Sequence, residues 1–400
     1  MLHTDTKARK TVKSHPRRIY LLALLLDLLA LAANQLAARS SAFANAYSHY
    51  VYRVLSLSIG SVTGLLPFSV VELLLYATIL FVLFDFVKQL RRAIRAAAAR
   101  PLRRFLGHLF LILSALLVLY VFLCGINYHR TSFSQEAGLS VTLDEHGTVY
   151  DEADLIALCD YLVTEINDTE AQLDVSCIGQ TAETPKPSAA WLWHAGRTGQ
   201  RAMEKLGERY RRLSGHYPFP KPILNTWLLS VQQTTGVYSP FTVEANYNRD
   251  IAYYDIPFTI CHELSHLRGY MQEEEANFIG VLATIGADDL YFNYSGYVSA
   301  WVYAGNALAR IDSTAFATLY ARINARTRQD MLYNNAYWKQ FEGKPAEAHE
   351  QLNDAYLKMQ GQTSGVRSYG HVTDLMLEYF AKNGTLTQCN SSAVARRTAD

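Results

Sequence analysis

Phe258-Thr-Ile-Cys-His262-Glu263-Leu-Ser-His266-Leu-Arg-Gly269-Tyr-Met-Gln-Glu273-Glu-Glu-Ala276-Asn277-Phe278 is the stretch around which this 400-residue chain is organised. His-Glu-x-x-His on a helix sets two imidazoles at i and i+4 on one face, with a carboxylate one position round. Two neutral imidazoles so placed suit a zinc ion, and Glu263 then stands where it can take a proton from an activated water. The segment reads as a helix: Asp255 can cap it, Pro257 suits its first turn and Gly269 can end it. Phe258, Ile260 and Cys261 are apolar, which predicts a buried helix whose histidines need partners. A solvated helix carrying the same five residues by chance is the plainer alternative.

A third ligand is expected close by. Gly269 permits a left-handed turn, after which a second helix is predicted from about Gln272 to Asp289. Glu273, Glu274 and Glu275 open it, and helical phase separates them. Glu273 shares a stripe with the small residues Ala276, Gly280, Ala283 and Ala287, along which another helix can approach closely. Glu274 lies nearer the bulky stripe of Phe278, Val281, Leu282 and Ile285, and Glu275 points elsewhere. Glu273 is therefore the expected third ligand, and Asn277, one turn on, the expected partner of a ligand histidine. Acidic residues are favoured in any first helical turn by the helix dipole, which accounts for the other two glutamates.

His-Glu-x-x-His followed by Glu-x-x-Ala-Asn resembles zinc-dependent peptidases that use two histidines and a downstream glutamate. More closely, Gly236-Val-Tyr-Ser-Pro240-Phe-Thr-Val-Glu244-Ala-Asn246-Tyr-Asn248 together with His262 to Phe278 resembles a bacterial membrane family, domain-of-unknown-function family 3810. The likeness takes in most of the chain, including Leu66-Pro67-Phe68-Ser69. It implies His262, His266 and Glu273 as metal ligands and Glu263 as the catalytic acid/base. The gap from His266 to Glu273 is shorter than in many glutamate-type zinc peptidases.

Composition divides the chain. The first third is rich in leucine and alanine with clustered arginine, while the remainder is polar and tyrosine-rich. A net charge of +1 gives no reason to expect nucleic acid as a partner. The five cysteines show no metal-ligand spacing, and the odd number argues against a disulfide scaffold; a Cys159–Cys177 bridge is the one pairing considered.

Three apolar stretches, about 19–36, 69–87 and 105–128, approach the ~20 residues that a bilayer core requires. The first is read as an uncleaved anchor, with Ala42-Phe-Ala44 offering the signal-peptide alternative. Residues 43–66, broken by Gly60, Gly64 and Pro67, are expected to lie shallowly at the membrane surface. Seven lysines and arginines between Lys88 and Arg104 form the basic loop 88–104, which with the basic segment 1–18 is assigned to the cytoplasm. Residues 131–384 then form an extracytoplasmic domain, with a polar tail at 385–400. The expected protein is a multi-pass cell-membrane protein whose bilayer contacts include lipid phosphates.

The fold class expected is mainly α: three N-terminal transmembrane helices followed by a predominantly helical, zincin-like domain with a small sheet or edge strands. Helices are predicted at 151–169 and 188–213, strands at 221–230 and 238–248. Phe241, Thr242, Glu244 and Asn246 are candidates for binding substrate by strand addition; the alternative for Glu244 and Asn246 is to anchor a turn. Tyr294, Tyr297, Tyr303, Asn306, Tyr369 and His371 are candidates to steady an oxyanion. The expected activity is that of a membrane-anchored metallopeptidase, with Zn2+ as cofactor and extracytoplasmic or wall-linked peptides as substrates. Its rivals are a non-catalytic zinc-stabilised scaffold or sensor and a transporter-like protein using Asp27 and Glu72.

Overall fold

The computed structural model describes residues 16–139, 150–174, 186–359 and 371–387. Cys177, Tyr369 and most of the polar tail lie outside these residues, as does the basic segment up to Lys13. Thr385 and Leu386 belong to the domain and not to a tail: the Thr385 hydroxyl meets that of Tyr161 at 2.9 Å, and Leu386 is fully buried.

Three helices are long and apolar enough to cross a membrane: α1 (Pro16–Arg39), α3 (Val70–Ala96) and α4 (Arg100–Leu123), the last extended by a 3-10 turn to His129. All three run beyond the limits drawn from apolar residues alone, because helix does not stop where hydrophobicity does. Their burial is inverted relative to a soluble bundle. Leucines of α1 point outward, while Ala23, Ala30 and Ala37, seven residues apart, are buried, as small residues are at close helix contacts in lipid.

The segment between the first two of these helices is helical from Ser41 to Thr63: Ser41–Ala46, a π-helical turn Tyr47–Tyr52, and α2 (Arg53–Thr63). It is more than a surface strip, because Ser56 and Gly60 bury against the domain. A Cβ on Gly60 would stand 3.1 Å from the Pro218 ring, so the contact is backbone-close.

The rest is mainly helical. Asp151 caps α5 (Glu152–Glu170) through a capping box, and Ser188 caps α6 (Ala189–Arg209). A three-stranded sheet follows, made of β1 (Lys221–Pro222), β2 (Gly236–Ser239) and β3 (Glu244–Tyr247), in the order β1-β3-β2. Two strand predictions are corrected here. Residues 221–230 pair for only two positions before Trp227–Ser230 turns helical, and 238–248 contains a strand, a turn and a second strand that pairs antiparallel to the first.

Behind the sheet stand α7 (Asp255–His266), α8 (Glu273–Ile285) and α9 (Leu290–Ile311). Tyr254, not Asp255, occupies the cap position of α7. Every residue of α8 from Glu274 to Ile285 is buried, as expected of a helix apolar on most faces. Close approach is again the rule: a Cβ on Gly199 of α6 would meet Ile260 of α7 at 2.4 Å. Helices α10 (Ser313–Arg322), α11 (Ala325–Lys339), α12 (Lys344–Met359) and α13 (His371–Asn383) complete the described chain.

Candidate metal centre

His262 and His266 fall one turn apart on α7, and their Nε2 atoms are 3.2 Å from each other. The Glu273 carboxylate at the start of α8 faces both, Oε2 3.3 Å from His262 Nε2 and Oε1 3.9 Å from His266 Nε2. Two turns of chain explain the convergence. Gly269 adopts φ +83°, which reverses the chain after α7, and Gln272 in extended backbone opens α8. The small-residue stripe of α8 lies against α7: a Cβ on Gly280 would stand 3.1 Å from the Phe258 ring and 3.4 Å from the His262 nitrogen.

The same turn orients His266. Its Nδ1 donates to the Tyr270 carbonyl at 2.7 Å, leaving the Nε2 lone pair for the centre. Tyr270 is held in turn by its hydroxyl on Glu136 and by the Arg130 guanidinium 4.2 Å from its ring. Asn277 lies within hydrogen-bonding reach of His262. Both His262 Nδ1 and Asn277 Nδ2 are buried without a partner.

Two carboxylates border the imidazole pair. Glu263 Oε1 is 4.0 Å from His262 Nε2, farther than Glu273, and its Oε2 is buried without a partner. His262, Glu263 and His266 together form a buried donor group able to hold a metal ion; the distances make Glu273 the nearer carboxylate. Strand β2 fixes Glu263 from the side. The Tyr238 backbone N–H favours its ionised form, and a Cβ on Gly236 would lie 2.5 Å from its Oε1.

The electrostatics follow from burial. Desolvation pulls the His262 imidazolium down, yet Glu273 and Glu263 outweigh it and push the group up to about 9. Desolvation and the neighbouring His262 charge lower His266 to about 4. Burial raises Glu263 to about 8, opposed by His262 and reinforced by Glu273. Burial also opposes ionisation of Glu273, but the His262 hydrogen bond and both imidazoles hold it below the ordinary glutamate value.

The donor set fits a divalent ion. Zinc binds histidine nitrogen and carboxylate oxygen at about 2.0–2.2 Å, so neighbouring donors in a tetrahedron stand about 3.3–3.5 Å apart. The three closest approaches here, 3.2, 3.3 and 3.9 Å, bracket that spacing.

The centre opens into a cleft of about 1200 Å³. Its walls include the edge strand β2, Phe258 and Thr259 of α7, Tyr303 of α9, and His349, Glu350 and Tyr356 of α12, with Cys124 and Tyr128 at the end of the third span. The Tyr356 hydroxyl meets those of Tyr120 and Tyr128 at 3.0 Å, tying α12 to that span. Of the tyrosines singled out on α9, Tyr303 reaches the cleft. Tyr294 spends its hydroxyl on Thr327 and Asp330.

The segment expected to add a substrate strand is placed otherwise. Strand β3 lies in the middle of the sheet, paired on both sides, so it offers no free edge. The Glu244 carboxylate accepts from the Val70 and Val71 backbone N–H groups at 3.1 and 2.9 Å and pairs with buried Lys221. It therefore caps the second span. Thr242 donates to Ser239, Asn246 to the Val237 carbonyl, and Phe241 is partly exposed away from the centre. Glu72 is likewise structural, accepting from the Leu224 and Asn225 N–H groups. The wall-forming residues that sequence reasoning passed over are Gly236 and Tyr238 of β2 and the inner face of α12. Gly236 was within sight, since it opens the run that carries the family likeness.

A family profile described as protein of unknown function (DUF3810) matches residues 47–377. The chain belongs to this family. The DUF3810 match thus takes in the Tyr47–Thr63 segment, the second and third spans, and every residue of the centre. No curated protein and no solved structure matches the chain.

Proposed function

We propose that this DUF3810 protein is a membrane-anchored, zinc-dependent metallopeptidase of zincin type, with its centre in an extracytoplasmic domain. The observation that carries the proposal is the convergence of His262 Nε2, His266 Nε2 and the Glu273 carboxylate, 3.2–3.9 Å apart, at the floor of a large cleft. A zinc ion held by His262, His266 and Glu273 would supply a Lewis acid able to acidify a water and polarise a scissile carbonyl. Glu263 stands beside the ligands, takes up a proton, and delivers it to the departing nitrogen. The Tyr238 N–H favours that carboxylate's ionised form, and the bare backbone of Gly236 leaves it room. Polypeptides or wall-linked peptides outside the cell are the substrates proposed. The orientation rests on the excess of lysine and arginine in the 88–104 loop.

One observation favours a second reading. Glu263 is close enough to His262 to serve as a fourth ligand, and four protein donors make a closed, structural site. The variant Glu263→Gln separates the two. Metal content by mass spectrometry and hydrolysis of randomised, quenched fluorescent peptides are measured on purified full-length protein. Retained metal with hydrolysis abolished fits the peptidase; metal lost along with Glu263 fits the scaffold. His262→Ala and His266→Ala lose metal in either case.

A further inference from the structure

We infer that the underside of the domain is seated in the bilayer interface, and that the centre acts on polypeptides anchored in the same membrane. The second half rests on the peptidase reading; the first stands without it.

The domain is clamped to the spans through the metal-bearing helix itself. Tyr52 donates to the His266 carbonyl at 3.0 Å and Ser56 to the Leu267 carbonyl at 2.8 Å. The Tyr238 hydroxyl donates to the carbonyl of Leu123, the last residue of α4, at 3.2 Å, while the Tyr238 ring lies 5.8 Å from that of His266. One tyrosine side chain therefore bridges the outer end of a membrane span and a metal-binding imidazole.

An apolar rim surrounds the start of α3. Leu65 and Trp227 are 82% and 61% exposed, and Val62, Leu224 and Phe241 are exposed with them. Hydrogen bonds hold these residues at one level. The Leu224 N–H donates to Glu72 in the first turn of α3, and Thr63 donates to the carbonyl of Thr242, next to Phe241. Exposed apolar side chains gathered in this way mark a covered surface. The occupant is lipid, because the rim is continuous with α3 and because tryptophan beside a span belongs at the headgroup level.

The cleft then begins at the membrane. Cys124 and Tyr128, which directly follow α4, line it, as does Pro240 beside the rim residue Phe241. A polypeptide with its own anchor leaves the interface at this height and enters the cleft within its first residues. An extended chain advances about 3.3–3.6 Å per residue, so a short spacer carries the scissile bond from the anchor to the centre and a long one adds only slack. A free peptide has no such advantage in effective concentration.

The test uses full-length, zinc-loaded protein in vesicles of phosphatidylethanolamine and phosphatidylglycerol. Randomised quenched peptides are supplied free, or doubly acylated through polar spacers of about 5 or about 40 residues. The expected result is cleavage about tenfold faster with the short spacer than with the long one, and slowest for the free pool. Equal rates for the two spacers, or for free and anchored pools, overturn the substrate assignment while leaving the peptidase intact. No cleavage of any pool by metal-loaded protein overturns the peptidase and this assignment together. The seating is read separately, by quenching of tryptophan fluorescence with lipids brominated near the headgroup. Trp227→Phe should abolish most of the quenching and Trp193→Phe should leave it; quenching unchanged in Trp227→Phe refutes the seating.

Discussion

Replacing Gly236 with alanine tests the placement of Glu263 without touching any proposed ligand. Gly236 sits in extended strand backbone that alanine adopts freely, so the effect is one of packing alone. The added Cβ would lie 2.5 Å from Glu263 Oε1, 2.8 Å from its Cγ and 2.7 Å from Thr259 Cγ2. Ordinary contact begins near about 3.5 Å, so the methyl intrudes by about 1 Å. Strand β2 is hydrogen-bonded to β3 on its other side, and Glu263 is the part able to move. Overpacking of this kind costs about 1–3 kcal/mol of stability. A displacement of about 1 Å at the group that handles the proton costs about 100-fold in rate. Steady-state hydrolysis of an anchored quenched peptide, paired with metal content, is the assay. Expected are kcat lower by about 100-fold and one metal per chain retained. Activity within twofold of the parent would refute the role given to Glu263, and loss of the metal would make that carboxylate a ligand.

Three further outcomes follow from the same contacts. Glu244→Ala strips the partner from buried Lys221 and the cap from Val70 and Val71. Breaking such a pair costs about 3–5 kcal/mol, visible as a lowered thermal midpoint in detergent, with hydrolysis per folded molecule unchanged. Gly280→Val drives a side chain into the gap between α7 and α8, where even a Cβ is 3.1 Å from Phe258. Weaker zinc binding, measured by chelator competition, should accompany it, and unaltered affinity would show that the helix spacing does not set the ligand geometry. Burial pushes Glu275 up to about 7 from 4.5, despite hydrogen bonds from the Ser134 N–H and hydroxyl. A carboxyl raised in the folded state holds its proton more tightly there, so its contribution is full below pH 4.5 and is lost as pH rises through 7. Metal-free protein should melt lower at pH 8 than at pH 5, with Glu263 contributing in the same direction, and Glu275→Gln should reduce that difference without removing it.

Much of the geometry of the proposed centre was legible in order of residues alone, because its residues are local. Three side chains within twelve positions, set on two short helices joined at a glycine, have their phase fixed by helix geometry. Periodicity anticipated that Glu273, rather than Glu274 or Glu275, would face the imidazoles, since it shares the small-residue stripe that meets α7. Hydropathy likewise located the three helices long and apolar enough to cross a membrane, because such a long apolar run has few other uses.

What escaped was everything decided by contacts distant in the chain. An extended stretch such as Phe241–Asn246 reads the same whether it ends as an edge strand or a central one; the partners Lys221–Pro222 and Gly236–Ser239 made it central. Glu244 looks like a substrate contact until the start of the second span arrives from 174 residues away to take both its oxygens. The role of Gly236 against Glu263, the strap of α12 across the cleft, and the single tyrosine between α4 and His266 are also of this kind. Local sequence determines which side chains share a helical face, because that geometry is short-ranged. Which surfaces those faces meet depends on how the whole chain collapses, and that was settled only in three dimensions.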